Sequence, residues 1–350
     1  MARMFAPPPL RRTLEAAFRD LDARDPSVRQ SAVRDLGHHD LPEGEARTRA
    51  IDELCRRLRD DDHAAVRAEA AVALADLRAH EAATQLLVAV EDAHGHVRQM
   101  ALCALGEVGA TRALPRIERA LTDERPEVRY QATIAFFRLC DEDAPRLKVL
   151  RQCMQDADDA IRYIALRLAE EHLLGSVSDD VLAIAAERLQ DEAPEVVLAA
   201  AIMLGHAGDR RCAAVLTRVV QSGEAIPGGK VPQEDECEAL ELVGRLQMQE
   251  LRGALERRAF GLRRLLHDTC SLSARVGLAR MGDARAIAAL VKAVASGGAD
   301  TRTLATVAAG RSARPELRDA LVQHRATLDA DLVDEALARL DREIGASGAL

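Results

Sequence analysis

The strongest constraint on what this chain can become is a phrase that recurs along it. An aliphatic residue is followed four positions on by a small alanine, and usually four further by a bulky apolar residue. The copies are Val28/Ala32/Leu36, Val66/Ala70/Leu74, Val97/Ala101/Leu105, Val128/Ala132/Phe136, Ile161/Ala165 and Val196/Ala200/Leu204. Fainter copies follow at Ala239/Val243, Ala274/Leu278, Ala305/Ala309 and Ala336/Leu340. Spacings of four and eight mark one face of a helix. Successive key alanines stand 31 to 39 residues apart, room for two helices of about 12 residues and tight turns. Segments such as "EAATQLLVAVED" and "ARAIAALVKAVAS" supply the second helix.

Turn residues fall at the same period. Asp61, Asp92, Asp123, Asp156 and Asp191 each precede the aliphatic position by five, and Pro26, Pro126 and Pro194 precede it by two. A fixed φ and a missing N–H are harmless at a helix start. Gly106, Gly109, Gly205, Gly208 and Gly282 punctuate the far ends. The expected fold is all-α: about ten stacked hairpins over residues 13–343 forming one curved solenoid. Residues 1–12 and 344–350 form tails, and Met4 and Phe5 are a candidate docking element in the first. A Gly- and Pro-rich loop is inserted at 221–236.

The phrase in "DAHGHVRQMALCALGEVG", residues 92–109, resembles HEAT repeats of the short type found in phycobilisome-lyase-like proteins. That resemblance implies an α-solenoid used mostly as a protein-binding scaffold, with occasional enzymes. HEAT-like di-iron hydroxylases use repeated His-Glu pairs as ligands, and here only His80-Glu81 forms one. HEAT-like DNA glycosylases rely on aromatic and basic residues, whereas this chain has no Trp and a formal net charge of -9. Nucleic acid is therefore not the expected partner.

Other chemistry finds little support. His63 and His94 are equivalent positions with no third ligand at metal-site spacing. No phosphate loop, Gly-x-Ser-x-Gly elbow or nucleophile dyad occurs. Neither catalytic residues, metal nor cofactor are expected. The seven cysteines are odd in number and scattered, as in a reducing compartment, and no segment has the length and apolarity of a membrane span. A cytoplasmic, bacterial protein is the expectation.

Two groups of arginines stand out. Arg29, Arg67, Arg98, Arg129 and Arg162 follow the aliphatic residue in five successive copies, each near an Asp of its own or the adjoining turn. A structural Asp–Arg ladder is the expected use, stopping where Val197, Glu236 and Ser271 replace the arginine. Arg252, Arg257, Arg258, Arg263 and Arg264 crowd around a single Glu256 and form a candidate patch for an acidic partner, or a solvated helix face.

The only two tyrosines, Tyr130 and Tyr163, each precede a key alanine by two residues, about 160° round the helix from the packing face. With Ile134, Leu198 and Ile202 they make a candidate apolar strip on the concave face, where exposed aromatics anchor partners. Burial between neighbouring hairpins is the competing reading. The expected function is thus a non-catalytic scaffold or adaptor for a partner protein. The alternatives are a lyase-type or chaperone subunit acting on a tetrapyrrole-carrying protein, and a nucleic-acid binder.

Overall fold

The computed structural model describes residues 12–173, 179–261 and 270–347. Of the expected tails at 1–12 and 344–350, residues 1–11, with Met4 and Phe5, and 348–350 lie outside the described residues, as do Arg263 and Arg264. The chain divides into two compact units, residues 1–176 and 177–350.

The first unit holds α1 (Leu14–Asp20), α2 (Pro26–Gly37), α3 (Glu45–Asp60), α4 (Ala64–Asp76), α5 (Ala83–Ala89), α6 (Gly95–Glu107), α7 (Leu114–Ala120), α8 (Pro126–Leu139), α9 (Asp143–Cys153) and α10 (Asp159–Leu173). Each odd-numbered helix packs on the even one that follows it, and α2, α4, α6, α8 and α10 stack in sequence order. Ala32, Ala70, Ala101, Ala132 and Ala165 lie in this stack with no exposed surface. A methyl group is what lets one helix backbone settle against the next, and the flanking Val, Ile and Leu fill the seam.

The second unit repeats the plan with α11 (Asp179–Arg188), α12 (Pro194–His206), α13 (Ala213–Ser222), α14 (Gln233–Arg245), α15 (Arg252–Phe260), α16 (Ser271–Arg280), α17 (Ala284–Ser296), α18 (Ala299–Gly310), α19 (Pro315–His324) and α20 (Ala330–Ser347). Here α12, α14, α16, α18 and α20 stack in order, with Ala200, Ala239, Ala274, Ala305 and Ala336 in the seams. The last helix runs to Ser347, beyond the expected end of the array at residue 343.

The insertion at 221–236 differs from the expected loop. Its middle folds into a two-stranded antiparallel hairpin, β1 (Glu224–Ile226) with β2 (Gly229–Lys230). Pro227 and Gly228, the latter at φ +77°, turn the chain between the strands. β1 packs on α12 and α13 and buries Ala225 completely. The hairpin is thereby anchored to the second unit, while Pro227, Gly228 and Lys230 stay exposed.

The glycines divide by role. Gly109, Gly208 and Gly282 have φ of +66°, +77° and +82° and end their helices as expected. Gly106 and Gly205 are still helical, and a Cβ on Gly205 would meet Leu242 at 3.0 Å. Gly205 thus sits where α12 and α14 approach closely, whereas a Cβ on Gly106 would make only ordinary contact with α8, at 3.6–3.7 Å. Cys237 of α14 and Cys270 before α16 form a disulfide with Cα atoms 4.9 Å apart; their separation of 33 residues is one repeat, which is why no short cysteine motif announces it. Among the described residues no helix is long and apolar enough to cross a membrane.

Candidate functional site

The arginines of the repeated phrase are committed to structure. Arg29 pairs with Asp61 at 2.8 Å, Arg67 with Asp92 at 2.8 Å, Arg98 with Asp123 at 2.8 Å and Arg129 with Asp156 at 2.7 Å. In each case Nε and Nη2, on one edge of the guanidinium, donate to the two carboxylate oxygens, the fork geometry that makes Arg–carboxylate contacts strong. The partner is always the Asp of the following repeat. The remaining arm turns back to the chain's own turn: Arg67, Arg98, Arg129 and Arg162 donate to the carbonyls of Asp61, Asp92, Asp123 and Asp156.

Each Asp also shapes the turn into its own helix. Asp61, Asp92, Asp123, Asp156 and Asp191 accept a backbone N–H two residues on, at 2.8–3.0 Å. His63 and His94 therefore sit at these turns as exposed residues directly before α4 and α6. Burial pushes the carboxyls of Asp61, Asp92, Asp123 and Asp156 upward, but the hydrogen bonds from their arginines and from the backbone win and hold all four below the usual range. In the second unit the equivalent Val197 is buried and Glu236 pairs with Arg258 at 2.6 Å.

With those charges neutralised, the open side of α4, α6, α8 and α10 becomes the distinctive surface of the first unit. Tyr130, Ile134 and Tyr163 are half-buried there, as are Val72, Met100, Cys103 and Ile164. Polar pairs flank the apolar band: Arg34 with Glu69 at 2.7 Å, Gln30 with Glu69 at 2.9 Å, and Arg138 with Glu107. Half-burial settles neither extreme of the sequence reading, since these side chains lean on the neighbouring helix and keep part of their surface in solvent.

Leu198 and Ile202 require a correction. Both have no exposed surface and offer nothing to a partner. The reason is that α12 is buried continuously from Val196 to Gly205, packed by α11, α13, α14 and β1. Its sequence "VVLAAAIMLG" carries no polar residue, and a helix that is apolar all round is a buried one; that signal outweighs the register argument.

The arginine patch at 252–264 is also largely committed. Arg252 bridges to Asp283 at 2.6 Å and Glu256 at 3.3 Å, and Arg258 is held by Glu236. Arg257 alone of the described three is exposed without such a pair. The thiols make poor nucleophiles: burial pushes Cys55, Cys153 and Cys212 up to about 11 and raises Cys103.

Two clefts escaped the sequence reading. One, of ≈ 580 Å³, opens beside α1 and α3, with Arg49 stacked 4.1 Å over the Phe18 ring and Glu15 and Asp22 on its walls. The other, of ≈ 370 Å³, lies within the second unit between Arg245 of α14 and Glu335, Arg339, Arg342 and Glu343 of α20. Tertiary winding assembles both from distant segments, so no local motif marks them.

HEAT repeats match residues 13–95 and again 85–170. No curated protein matches. Among solved structures, YibA of E. coli superposes with a TM-score of 0.56 at 18% identity, covering 77% of this chain and 92% of its own. The complex of CpcE and CpcF of phycocyanin lyase from Nostoc sp. PCC7120 gives 0.43 at 19% identity, with coverages of 71% and 92%. An engineered protein gives 0.42 at 17%, with 95% and 98%. At such identities the first of these likenesses concerns fold alone. Residues 13–170, nearly all of the first unit, are thus HEAT repeats, and alanine-seamed hairpins of the same build continue through the second unit.

Proposed function

We propose that this chain is a non-catalytic scaffold whose first unit binds a partner protein along the open face of α4, α6, α8 and α10, with Tyr130, Ile134 and Tyr163 at the centre. The observation that carries this reading is the half-exposed apolar band bordered by paired charges, an arrangement of apolar centre and polar rim typical of recognition surfaces. Aromatic side chains in such a band contribute a large share of binding energy. The ladder favours the same conclusion. Four Arg–Asp forks tie successive repeats together, so the band is presented on a braced support, and those arginines are not free for phosphates.

The test compares proteins captured from the native cell by the wild type and by a Y130S/I134D variant, with mass spectrometry and a melting curve for each. Loss of specific captured proteins at an unchanged melting temperature supports the proposal. A lowered melting temperature with the same captured set shows that the side chains serve packing between repeats, and overturns it. Chromophore retained on the purified protein would replace it with a role on a tetrapyrrole-carrying protein.

A further inference from the structure

The second unit carries a basic row that the ladder does not use. Six residues after each of its last four key alanines stands an arginine: Arg245, Arg280, Arg311 and Arg342. The shared register puts all four on one side of the stacked helices α14, α16, α18 and α20.

This side is inward-curving within the unit, because side chains of non-adjacent helices meet across it. Arg280 of α16 reaches Glu343 of α20 at 2.9 Å, and Arg311 beside α18 reaches Glu241 of α14 at 3.4 Å. Arg245 of α14 and Arg339 and Arg342 of α20 face the same ≈ 370 Å³ cleft. Three guanidinium groups and the carboxylates of Glu335 and Glu343 line this cleft, and the Arg280–Glu343 and Arg311–Glu241 pairs lie on the same side, giving five arginines against Glu241, Glu335 and Glu343.

Two of the arginines are paired and three are not. Among the described residues Arg245, Arg339 and Arg342 make no ion pair; Arg245 stands 3.5 Å from the His206 ring, and Arg342 contacts its own helix carbonyl at Ala338. The Arg280 side chain is 8% exposed, and its Nε has no hydrogen-bond partner, nor has that of Arg311. Although Arg339 keeps solvent-exposed surface, partial desolvation of its guanidinium in the cleft and then the positive charges of Arg311 and Arg280 lower its pKa. Glu343 is pushed up by burial, yet Arg280, Arg245 and Arg339 hold it below the usual carboxylate range. The positive potential exceeds what the local carboxylates neutralise.

We propose that this cleft is an anion-recognition site for an acidic peptide segment of a partner protein, with Arg245, Arg339 and Arg342 as the carboxylate-binding groups. Planar guanidinium forks match carboxylates in pairs. Glu335 and Glu343 on the wall select against a dense polyanion such as nucleic acid, whose evenly spaced phosphates would be forced against them, whereas a peptide can place its carboxylates at the arginines and neutral residues at the glutamates. The site goes beyond the proposed apolar band and stands independently of it.

The test is fluorescence anisotropy on the full chain with a labelled Gly-Ser-flanked peptide of four glutamates, the same peptide with four glutamines, and single-stranded DNA of similar charge. The expected result is salt-sensitive binding of the glutamate peptide alone, weakened about tenfold or more by R339Q/R342Q and strengthened about two- to threefold by E335Q. All three residues are exposed, so melting curves should not move. Equal binding of the glutamine peptide, DNA binding as tight as peptide binding, or affinities untouched by R339Q/R342Q would each overturn the proposal.

Discussion

Replacing Asp123 by Asn tests whether the ladder holds the repeats together. The side chain accepts both Arg98 donors at 2.8 Å and the Arg125 N–H at 3.0 Å. Asn keeps one oxygen for the turn but sets an NH2 group against a guanidinium N–H, so one fork contact becomes donor facing donor. The Arg98 charge then stays in place with its side chain only 12% exposed. Removing one partner of a fully buried pair costs about 3–5 kcal/mol, and an exposed pair is worth about 0–1. This intermediate case should cost about 2–3 kcal/mol. Because an array loses stability at the affected interface first, native-state hydrogen exchange is the assay. Amides of α6 and α8 should lose protection by that amount, while those of α2 lose less. The R98M/D123N double variant should recover about 1–2 kcal/mol, since no uncompensated charge remains. A D123N effect below about 0.5 kcal/mol, or one spread evenly over the first unit, would refute the reasoning.

Three further outcomes follow from the same geometry. Gly109 has φ +66° and open space where a Cβ would go, so Gly109→Ala should cost about 1–2 kcal/mol from backbone strain alone, whereas Ala313→Gly, at φ +55°, should stabilise by up to about 1 kcal/mol; local exchange rates check the opposite signs. Gly244→Ala should cost on the order of 3 kcal/mol, because its Cβ would lie 2.2 Å from the Gly277 carbonyl oxygen and force α14 from α16; denaturant melts against the exposed Gly253→Ala, expected to be neutral or stabilising, provide the control. The ladder carboxyls are depressed on folding, so their contribution is complete above the unfolded aspartate pKa of about 3.9 and is lost as pH falls through the lower folded values. Exchange protection in α4, α6 and α8 should accordingly fall below about pH 4 and stay flat from there to neutrality.

What the sequence made legible was whatever repeats in register. The ten alanine seams could be read because every copy buries the same face, and the ladder because its Arg and Asp recur at fixed offsets. Features resting on one copy, or on contacts between distant copies, were not. Leu198 and Ile202 occupy the register of Tyr130 and Ile134, yet α12 alone is wrapped by an extra hairpin. Gly205 and Gly208 look alike in sequence; only coordinates separate a close-approach glycine from a left-handed one. Arg78, Gln247 and Ala313 occupy the Gly109 position with φ of +49°, +52° and +55°, a strained choice that composition hides. The Cys237–Cys270 bond spans a repeat, and the Arg245–Arg342 cleft depends on how tightly four helices wind.

The two halves of the chain therefore use arginine for different ends. In the first unit the residue after the aliphatic position is arginine in every copy, and four of these are locked to aspartates of the next turn. The position six after the key alanine then reads His38, Asp76, Glu107, Arg138 and Glu171, acidic and mixed. In the second unit the first position gives way to Val197, Glu236 and Ser271, with arginine returning at Arg302, and the later position becomes Arg245, Arg280, Arg311 and Arg342. Arginine moves from the turn, where it braces the stack, to the last turns and open side of the even helices, where it faces a cleft. A charge at a turn is satisfied by the neighbouring repeat. One on the inner side of a winding array meets other charges of its own sign, and the structure tolerates that only with internal carboxylates or an anion from outside. Glu241 and Glu343 supply part of the first, and Arg245, Arg339 and Arg342, which have no ion pair among the described residues, leave room for the second.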